Sequence, residues 1–313
     1  MTSTEASTPE PQASRGPAAA GREVPWAEVA GDVPEELVRL ARRCLVADGG
    51  LPLAAEPGFL RRRWAAAGAV RFGLRGSSGE LMAAGVVCPG AGPGPIITGL
   101  VDPAARGRGV GGRLLDHGLT MAGSLGGGAA TVETESLTDR AAALFGSRGL
   151  RPIFAEYVLC IDLTWFDGLP CWPPGVAVST WTTGRAGRFF DVYAAAFRSR
   201  PGYPAPTAAE WIADNETDDD FRPGWSLLAH LPGVGDAGFV TAAAGWIVQV
   251  GVVPAARRRG LARALVTEAL RRMAAAGEPE AWLNVNVDNP GAARLYQEVG
   301  FTLRGRRARY RAA

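Results

Sequence analysis

The sequence of 313 residues contains no lysine and has few histidines and cysteines. All 33 basic residues are therefore arginines, and against 31 acidic residues they leave a formal charge of +2. The spacing of the few potential zinc ligands forms no C-x-x-C or comparable pattern, so no metal site is expected. These residues are His117, His230, Cys44, Cys88, Cys160 and Cys171. Widely spaced free thiols are typical of a reducing compartment, and the predicted location is the cytoplasm.

Long apolar runs are absent as well, and so is a strong excess of either charge. No run approaches the roughly 18 apolar residues of a membrane span, so no membrane partner is expected. Residues 1–23 are rich in Ser, Thr, Pro, Ala and Gly and lack a basic start and an apolar core. They are predicted to be a disordered tail rather than a signal peptide. The nearly balanced charge does not call for a nucleic-acid partner either.

The sequence does contain an internal repeat. Residues 101–150 align without a gap with residues 252–301, and 15 of the 50 aligned pairs are identical. This repeat predicts two copies of one domain, at residues 24–163 and 175–313, joined by a Pro- and Trp-rich linker at 164–174. Two domains in one chain make a monomer sufficient, and the sequence leaves the oligomeric state open.

Both copies show the same predicted order of elements. Strands precede an Arg-Gly turn, a helix follows it, and a strand, a second helix and a closing pair of strands complete each copy. The closing pair is predicted at residues 152–163 in the first copy and up to Tyr310 in the second. After the second turn, apolar residues recur every fourth position on one helix face: Leu261, Leu265, Ala269 and Met273. The predicted fold class is α/β (α+β), with a mixed, largely antiparallel sheet flanked by helices in each domain.

The Arg-Gly turns are suited to binding phosphate. The first turn of a helix leaves backbone N–H groups without internal partners, and the helix dipole adds partial positive charge there. Glycine or alanine lets phosphate oxygens approach the backbone, and arginine adds charge-assisted contacts. The candidate residues of the second copy are Arg257, Arg258, Arg259, Gly260, Leu261 and Ala262. Those of the first copy are Arg106, Gly107, Arg108, Gly109, Val110 and Gly111.

Both turns match the acetyl-CoA-binding signature Q/R-x-x-G-x-G/A of the GNAT superfamily of N-acetyltransferases. Residues 289–301 are similar to the superfamily's N-x-x-A-x-x-L-Y-x-x-x-G-F segment. On these motifs the chain resembles that superfamily, and its tandem layout resembles the mycothiol synthase family. The resemblance implies two tandem GNAT-like domains that use acetyl-CoA as acyl donor, without a metal.

The resemblance also implies roles for particular residues. Tyr296 matches the general acid, although it could simply pack against Phe301. A bulge near Gly251 would free a backbone N–H for the acetyl oxygen. The adjoining strand ends would pair with the pantetheine arm, through Val252 and Val253 in the second copy and Val101 in the first. Asn289 matches a position that touches the cofactor, but an N-cap without a ligand explains it equally well.

The first copy departs from this pattern. Phe145 replaces the tyrosine and cannot protonate a thiolate, and Thr138 replaces Asn289. Glu133 and Glu135 replace Asn284 and Asn286. We therefore predict that the first copy is catalytically degenerate and either binds acetyl-CoA idly or supports the second domain.

The general base is left open by the sequence. Mycothiol synthase-like sequences carry a Gly-Glu segment on the fourth strand, where this chain has Gly245-Trp246, so that carboxylate is missing. The alternatives are water held by backbone carbonyls, Glu210, the Asp218–Asp220 group, or His230. For the acidic run Asp214–Asp220 as a whole, a solvated loop is the preferred interpretation over attraction of a cationic amine.

The predicted function is acetyl-CoA-dependent N-acetylation, catalysed by the second domain. A small-molecule primary amine is the expected acceptor, and a protein amine is the alternative. A non-catalytic acyl-CoA sensor would bind the thioester without turnover. A nucleic-acid-associated enzyme would use the C-terminal arginines and bind DNA in a salt-dependent way, but we expect these arginines to form an exposed strand face.

Overall fold

A computed structural model describes residues 25–312 except 32, 91, 93, 127, 201 and 202, so the predicted tail at 1–23 lies outside it. The first half comprises β1 (Ala27–Glu28), α1 (Glu35–Asp48), α2 (Pro57–Trp64), β2 (Val70–Arg75), β3 (Leu81–Cys88), β4 (Ile96–Val101), α3 (Val110–Leu125), β5 (Thr131–Thr134), α4 (Asp139–Ser147) and β6 (Leu150–Asp162). The second half comprises β7 (Ala177–Thr180), α5 (Ala186–Phe197), α6 (Ala208–Glu216), β8 (Leu227–Leu231), β9 (Gly235–Ala243), β10 (Trp246–Val252), α7 (Leu261–Ala275), β11 (Glu280–Asn286), α8 (Pro290–Val299) and β12 (Thr302–Ala312).

The strands form a single sheet in which the two halves exchange their last strands. The order is β1-β2-β3-β4-β5-β12-β6-β11-β10-β9-β8-β7 in a sheet of 12 strands. Strand β6 of the first half pairs with β11 of the second, with Val158 opposite Asn284. Strand β12 of the second half pairs with β5 of the first, with Arg309 opposite Glu133. The sheet of each half is therefore completed by a strand from the other half.

The predicted closing strand pairs are wrong. Each copy ends instead in one long strand, β6 with 13 residues and β12 with 11. Because β6 and β12 pair with each other in an antiparallel register, each has a hydrogen-bonded neighbour on both edges. A continuous strand satisfies more backbone groups in this position than a hairpin would. The domain limits at 163 and 175 remain predictions, and this strand pairing crosses them.

The helices are divided between the two faces of the sheet. Helices α5 and α6 pack on Phe239, whereas α7 packs on the opposite face, against Val240. The first half has the same arrangement, with α1 and α2 on one face and α3 on the other. We call the side of α1, α2, α5 and α6 the front face. Tyr157 and Ala155 pack into the cores on the back face, so the alternation of the strand puts Glu156 on the front.

Helix α7 confirms the predicted apolar stripe. Its four residues are almost fully buried against the sheet, at exposures of 1% or less: Leu261, Leu265, Ala269 and Met273. Burying a leucine side chain of this kind contributes about 1.5–3 kcal/mol. The stripe fixes the axis of α7 on the back face and thereby fixes where its first turn meets the end of β10.

The C-terminal arginines do not form an exposed strand face, so that expectation is wrong. Strand β12 lies inside the sheet, and Arg307 and Arg309 form ion pairs with Glu135 and Glu133. Of the arginines in β12, only Arg304 is exposed. In the described part of the chain, no helix is both long and apolar enough to cross a membrane.

Candidate functional site

Two parallel strands separate at the centre of the second half. Strand β10 is paired with β11 only where Trp246 lies opposite Trp282, although the strands continue to Val252 and Asn286. In the first half, β4 and β5 are paired at Ile96 and Ile97 before they diverge. A gap therefore opens in each half towards the carboxyl ends of the strands, where the Arg-Gly turn follows.

The irregularity in β10 lies at Val248 and not at Gly251. The pairing with β9 passes from Ile247 opposite Ala242 to Gln249 opposite Thr241, which leaves Val248 unpaired. Gly251 has a packing role instead, since a Cβ atom there would lie 2.4 Å from the Phe239 ring. The predicted bulge thus exists, three residues earlier than expected.

Beyond the bulge, one strand end keeps its backbone directed into the gap. The Val253 N–H donates to the Ala237 carbonyl at 2.9 Å, so it is engaged with β9. Neighbouring residues of a strand direct their backbone groups to opposite edges, so those of Val252 face the gap, where its carbonyl accepts from the Arg257 side chain at 3.2 Å. Of the two valines predicted to pair with a pantetheine arm, Val252 is the one placed to do so.

The turn before α7 has the conformation expected of an anion cradle. Gly260 occupies the N-cap position in the left-handed region with φ 81°, and no side chain caps the helix. A Cβ atom at Gly260 would have no neighbour within 4 Å, so the first turn is open. Gly109 starts α3 with almost the same geometry, φ 79°. The two turns are also alike at the position of Arg258, which has a left-handed φ, as does its counterpart Gly107.

The first arginine of each turn donates hydrogen bonds to neighbouring elements, although Arg257 is itself exposed. Arg257 donates to the carbonyls of Val252 at 3.2 Å and Ala196 at 3.1 Å, which ties the turn to β10 and α5. Arg106 donates to the Val101 carbonyl and forms a bidentate pair with Asp48 at 2.5 and 2.8 Å. These two side chains hold the loops in shape. Arg258, Arg259 and Arg108 are exposed as well.

A cleft of about 610 Å³ lies between the start of α7 and α8. Its lining includes the turn and one side of α8: Val252, Ala256, Arg257, Arg258, Gly260, Leu261, Ala262, Arg263, Gly291, Ala292, Arg294, Leu295 and Glu298. In the first half, Arg148, the residue that follows α4, lies over the first turn of α3. Its Nη2 atom would be 2.9 Å from a Cβ at Gly112, and it pairs with Asp116 at 3.0 Å.

Tyr296 is buried on α8, beside the cleft-lining Leu295. Burial raises the pKa of Tyr296 to about 12, slightly opposed by the charge of Arg200, so the hydroxyl keeps its proton at neutral pH. Its ring also packs edge-on against Phe301 at 5.9 Å. The counterpart Phe145 is equally buried and packs against Tyr310 at 4.9 Å. Only the second copy has a proton donor at this position.

Asn289 acts as the N-cap of α8. Its side-chain oxygen accepts a hydrogen bond from the Ala292 N–H at 3.3 Å, and Thr138 caps α4 in the same way through Ala141. The capping interpretation is therefore confirmed. Cofactor contact by Asn289 stays a prediction.

On the front face of the second half, polar side chains surround the gap. Gln249 accepts a hydrogen bond from the Trp211 indole at 3.0 Å. The Asn284 side-chain oxygen is buried and has no hydrogen-bond partner among the described residues. Glu156, delivered by the exchanged strand β6, lies opposite Asn286. We call this front-face surface at the gap the floor of the site. An unpaired buried amide oxygen costs free energy unless a ligand or a water donates to it, so the floor is polar and suited to a hydrogen-bond donor.

The corresponding floor of the first half is filled by an ion network. Glu133 pairs with Arg63 of α2 and with Arg309 at 3.0 Å. Glu135 pairs with Arg63 at 3.3 Å and with Arg307 at 2.9 Å. The two glutamates that replace asparagines thus hold arginines. In the second half, the Asn286 side-chain oxygen accepts from the Asp288 N–H at 2.8 Å, and the Asn284 oxygen has no partner among the described residues.

The candidate bases from the sequence have other partners. Glu210 accepts from the Thr207 N–H in a capping box, and these hydrogen bonds lower its pKa. His230 contacts Asp236 at 3.2 Å on β8, and β9 separates that strand from β10. The Asp218–Asp220 group is exposed. Glu156 lies in the other half of the chain, and no local sequence pattern predicts that β6 pairs with β11.

Comparisons with known proteins agree with this architecture. The family described as "Acetyltransferase (GNAT) family" matches residues 191–301. A mycothiol acetyltransferase of Clavibacter michiganensis subsp. michiganensis is 30% identical over 300 residues, covering 94% of this chain and 93% of that protein. Another, of Catenulispora acidiphila, is 31% identical over 222 residues, covering 67% and 70%.

Solved structures show the same fold. A GCN5-related N-acetyltransferase from Sphaerobacter thermophilus has a TM-score of 0.69 and 27% identity, covering 90% of this chain and 92% of that one. A tandem GNAT protein from the clavulanic acid biosynthesis pathway has a TM-score of 0.62 at 16% identity, covering 92% and 98%. Fold and relatives together define an acetyl-CoA-dependent N-acetyltransferase. Because similarity extends over nearly the whole of a 30% identical relative, the chain belongs to the GNAT acetyltransferase family.

Proposed function

We propose that the second half transfers an acetyl group from acetyl-CoA to a primary amine of a small molecule, by direct attack of the amine on the thioester. One observation carries the proposal. A strand gap, an open phosphate turn and a protonated tyrosine come together in the second half, whereas the first half lacks the hydroxyl and fills the floor with ion pairs.

Each element has a role in this proposal. The N–H groups of Leu261 and Ala262 at the start of α7 would hold the pyrophosphate, with charge added by Arg258 and Arg259. The backbone of Val252 would pair with the pantetheine arm. Backbone N–H groups freed by the bulge at Val248 would polarise the acetyl carbonyl. The donor supplies an activated acyl group, and Tyr296 supplies the proton for the departing sulfur.

A small acceptor is supported by the relatives, whose name, mycothiol acetyltransferase, refers to a small molecule. This chain differs at Trp246, which stacks on Trp282 at 6.2 Å where mycothiol synthase-like sequences carry a carboxylate. The acceptor is therefore proposed only as a small primary amine. Three buried free cysteines, Cys44, Cys88 and Cys160, support the proposed cytoplasmic location.

An acceptor screen tests the proposal. Full-length protein is incubated with acetyl-CoA and a panel of amino-acid amides, amino sugars, polyamines and simple alkylamines, and free thiol is detected. Amine-dependent thiol release is expected. Calorimetric binding of acetyl-CoA without release for any amine would instead identify an acyl-CoA-binding protein, and release only with peptides would identify a protein acetyltransferase.

A further inference from the structure

We propose that Glu156, a residue of the first half, is the proton acceptor for the amine in the acetyltransfer site of the second half. This inference rests on the proposed function and completes its missing part, the base. The exchange of β6 and β12 makes it possible, because it inserts a first-half strand directly beside β11. The site is then built from both halves of the chain.

Register places Glu156 on the front face of β6, the strand that pairs with β11 at the edge of the gap. It lies opposite Asn286 on β11, on the same front face as Asn284, two residues away. The unpartnered oxygen of Asn284 can accept a hydrogen bond from a ligand or a water with an N–H or O–H donor. Arg200, which follows α5, is near enough for its charge to lower the pKa of both Glu156 and Tyr296. The charge of Arg200 therefore acts on both groups that would move protons.

The Glu156 carboxylate is not committed to a structural partner. Arg307 contacts Glu135 at 2.9 Å but Glu156 only at 3.8 Å, and no described residue donates a hydrogen bond to Glu156. Its side chain keeps 20% of its exposure, so a ligand can reach it. By comparison, the side chains of Glu133 and Glu135 are less than 10% exposed and are each held by two arginines.

The surrounding charges favour deprotonation of an amine. Burial raises the pKa of Glu156, and Glu135 adds to this, while Arg307 and Arg309 on β12 and Arg200 oppose it. A carboxylate with a raised pKa is a better proton acceptor near neutral pH. The same arginines disfavour a neighbouring ammonium ion and so favour the neutral amine, which is the nucleophile.

The proton balance is as follows. Glu156 takes one proton from the ammonium form and later passes it to solvent. The neutral nitrogen forms a bond to the acetyl carbonyl carbon, and the bond between that carbon and sulfur breaks. The nitrogen then loses a second proton, which replaces the one that Tyr296 gives to sulfur. The products are the amide, the free thiol and one proton in solution.

Glu156→Gln tests this assignment in the full-length protein with two probe amines. Butylamine is cationic at pH 7.5, whereas trifluoroethylamine is largely neutral and needs no proton removed before attack. The expected loss in kcat/KM with butylamine is about 10²- to 10⁴-fold, with a much smaller loss for trifluoroethylamine. Glu156→Asp should recover part of the activity. Glu133→Gln, a buried carboxylate of the first-half network, is the matched control and should leave turnover unchanged.

The pH profile gives a second readout. Wild-type kcat/KM should fall as pH drops through the raised pKa of Glu156, whereas Glu156→Gln activity should rise with pH in step with the neutral fraction of butylamine. Unchanged turnover in a folded Glu156→Gln protein, or equal losses with both amines, would overturn the role of Glu156 alone. No amine-dependent thiol release from wild type with any amine overturns the proposed function itself, and this inference with it.

Discussion

At the scale of single residues, Tyr296 is the group whose environment decides its chemistry. Its pKa of about 12 keeps the phenol protonated throughout the working range, so it can serve as an acid but not as a base. Tyr296→Phe should lower kcat by about 10²- to 10⁴-fold and leave acetyl-CoA affinity nearly unchanged. Single-turnover kinetics and calorimetric titration measure the two quantities separately. A mutant with full turnover, when chemistry is rate-limiting, would assign Tyr296 to packing against Phe301.

Phe145 offers the matched control for the tyrosine. Phe145→Tyr restores a hydroxyl to the first copy, whose floor is nevertheless occupied by Arg63, Arg307 and Arg309. We expect no gain in turnover from this change, alone or combined with Tyr296→Phe. Recovered thiol release in the double mutant would show that the first copy needs only the missing hydroxyl.

The cysteines give a prediction about reactivity. Burial raises the pKa of Cys44 and Cys160 to about 11, and that of Cys88 is also raised, so almost no thiolate exists at pH 7.5. Cys171 is exposed. Iodoacetamide should therefore label Cys171 rapidly in the native protein and the other three only after unfolding, as read by mass spectrometry. Labelling of Cys160 as fast as Cys171 would show that β6 and β11 open readily.

At the scale of the element, the two phosphate turns form a matched pair. Gly260 and Gly109 have φ of 81° and 79°, and a side chain at either would meet nothing within 4 Å. Replacement by glutamate therefore carries similar backbone strain at both positions, about 1 kcal/mol. A difference between the two substitutions in binding or turnover would therefore reflect a difference in the function of the two turns, not in backbone strain.

We predict that the effects differ strongly. Gly260→Glu should abolish acetyl-CoA binding in the second half and all turnover, because it sets a carboxylate against the pyrophosphate position. Gly109→Glu should leave turnover largely intact. Thiol release and calorimetry measure both, and circular dichroism checks the fold. Comparable loss from both substitutions would mean that the first copy takes part in catalysis.

At the scale of the whole molecule, the exchange of β6 and β12 makes the halves interdependent. Leu159 and Ile161 of β6 are buried in the core of the second half, and Ala308 and Tyr310 of β12 in that of the first. Cutting the chain in the linker at 164–174 would separate β6 from the core of the second half and β12 from the core of the first. Each fragment would then lack a strand that completes its sheet. Residues 24–163 and 175–313 should therefore not fold alone but should assemble when co-expressed.

Calorimetry provides the measurement on the intact chain. One cooperative unfolding transition is expected, because neither half has a complete core once the other unfolds. Two separate transitions, or a fragment 175–313 that is folded and binds acetyl-CoA, would contradict this interdependence. Such a fragment would also lack Glu156, so full activity with butylamine would show that Glu156 is not needed as the proton acceptor.

What the sequence determined by itself is local. The repeat, the Arg-Gly turns, the apolar stripe of α7 and the cap at Asn289 depend on residues within a few turns of each other. Their patterns identified the family and the two-copy layout. The contrast between Tyr296 and Phe145 was readable in the same way, because aligned positions of a repeat occupy the same place in a fold.

Only the tertiary structure decided which strand lies beside which. The partners of β6 and β12 depend on contacts more than 100 residues apart, such as Cys160 opposite Trp282, and no periodicity encodes them. For that reason the sequence pattern predicts the terminal arginines at the surface and does not connect Glu156 with the second half. The position of the bulge is not predicted correctly either, because Gly251 is required by its close packing against the Phe239 ring and not by the irregularity in the strand. A carboxylate on one half enters the site of the other because pairing across the sheet is set by packing and hydrogen bonding, not by order along the chain.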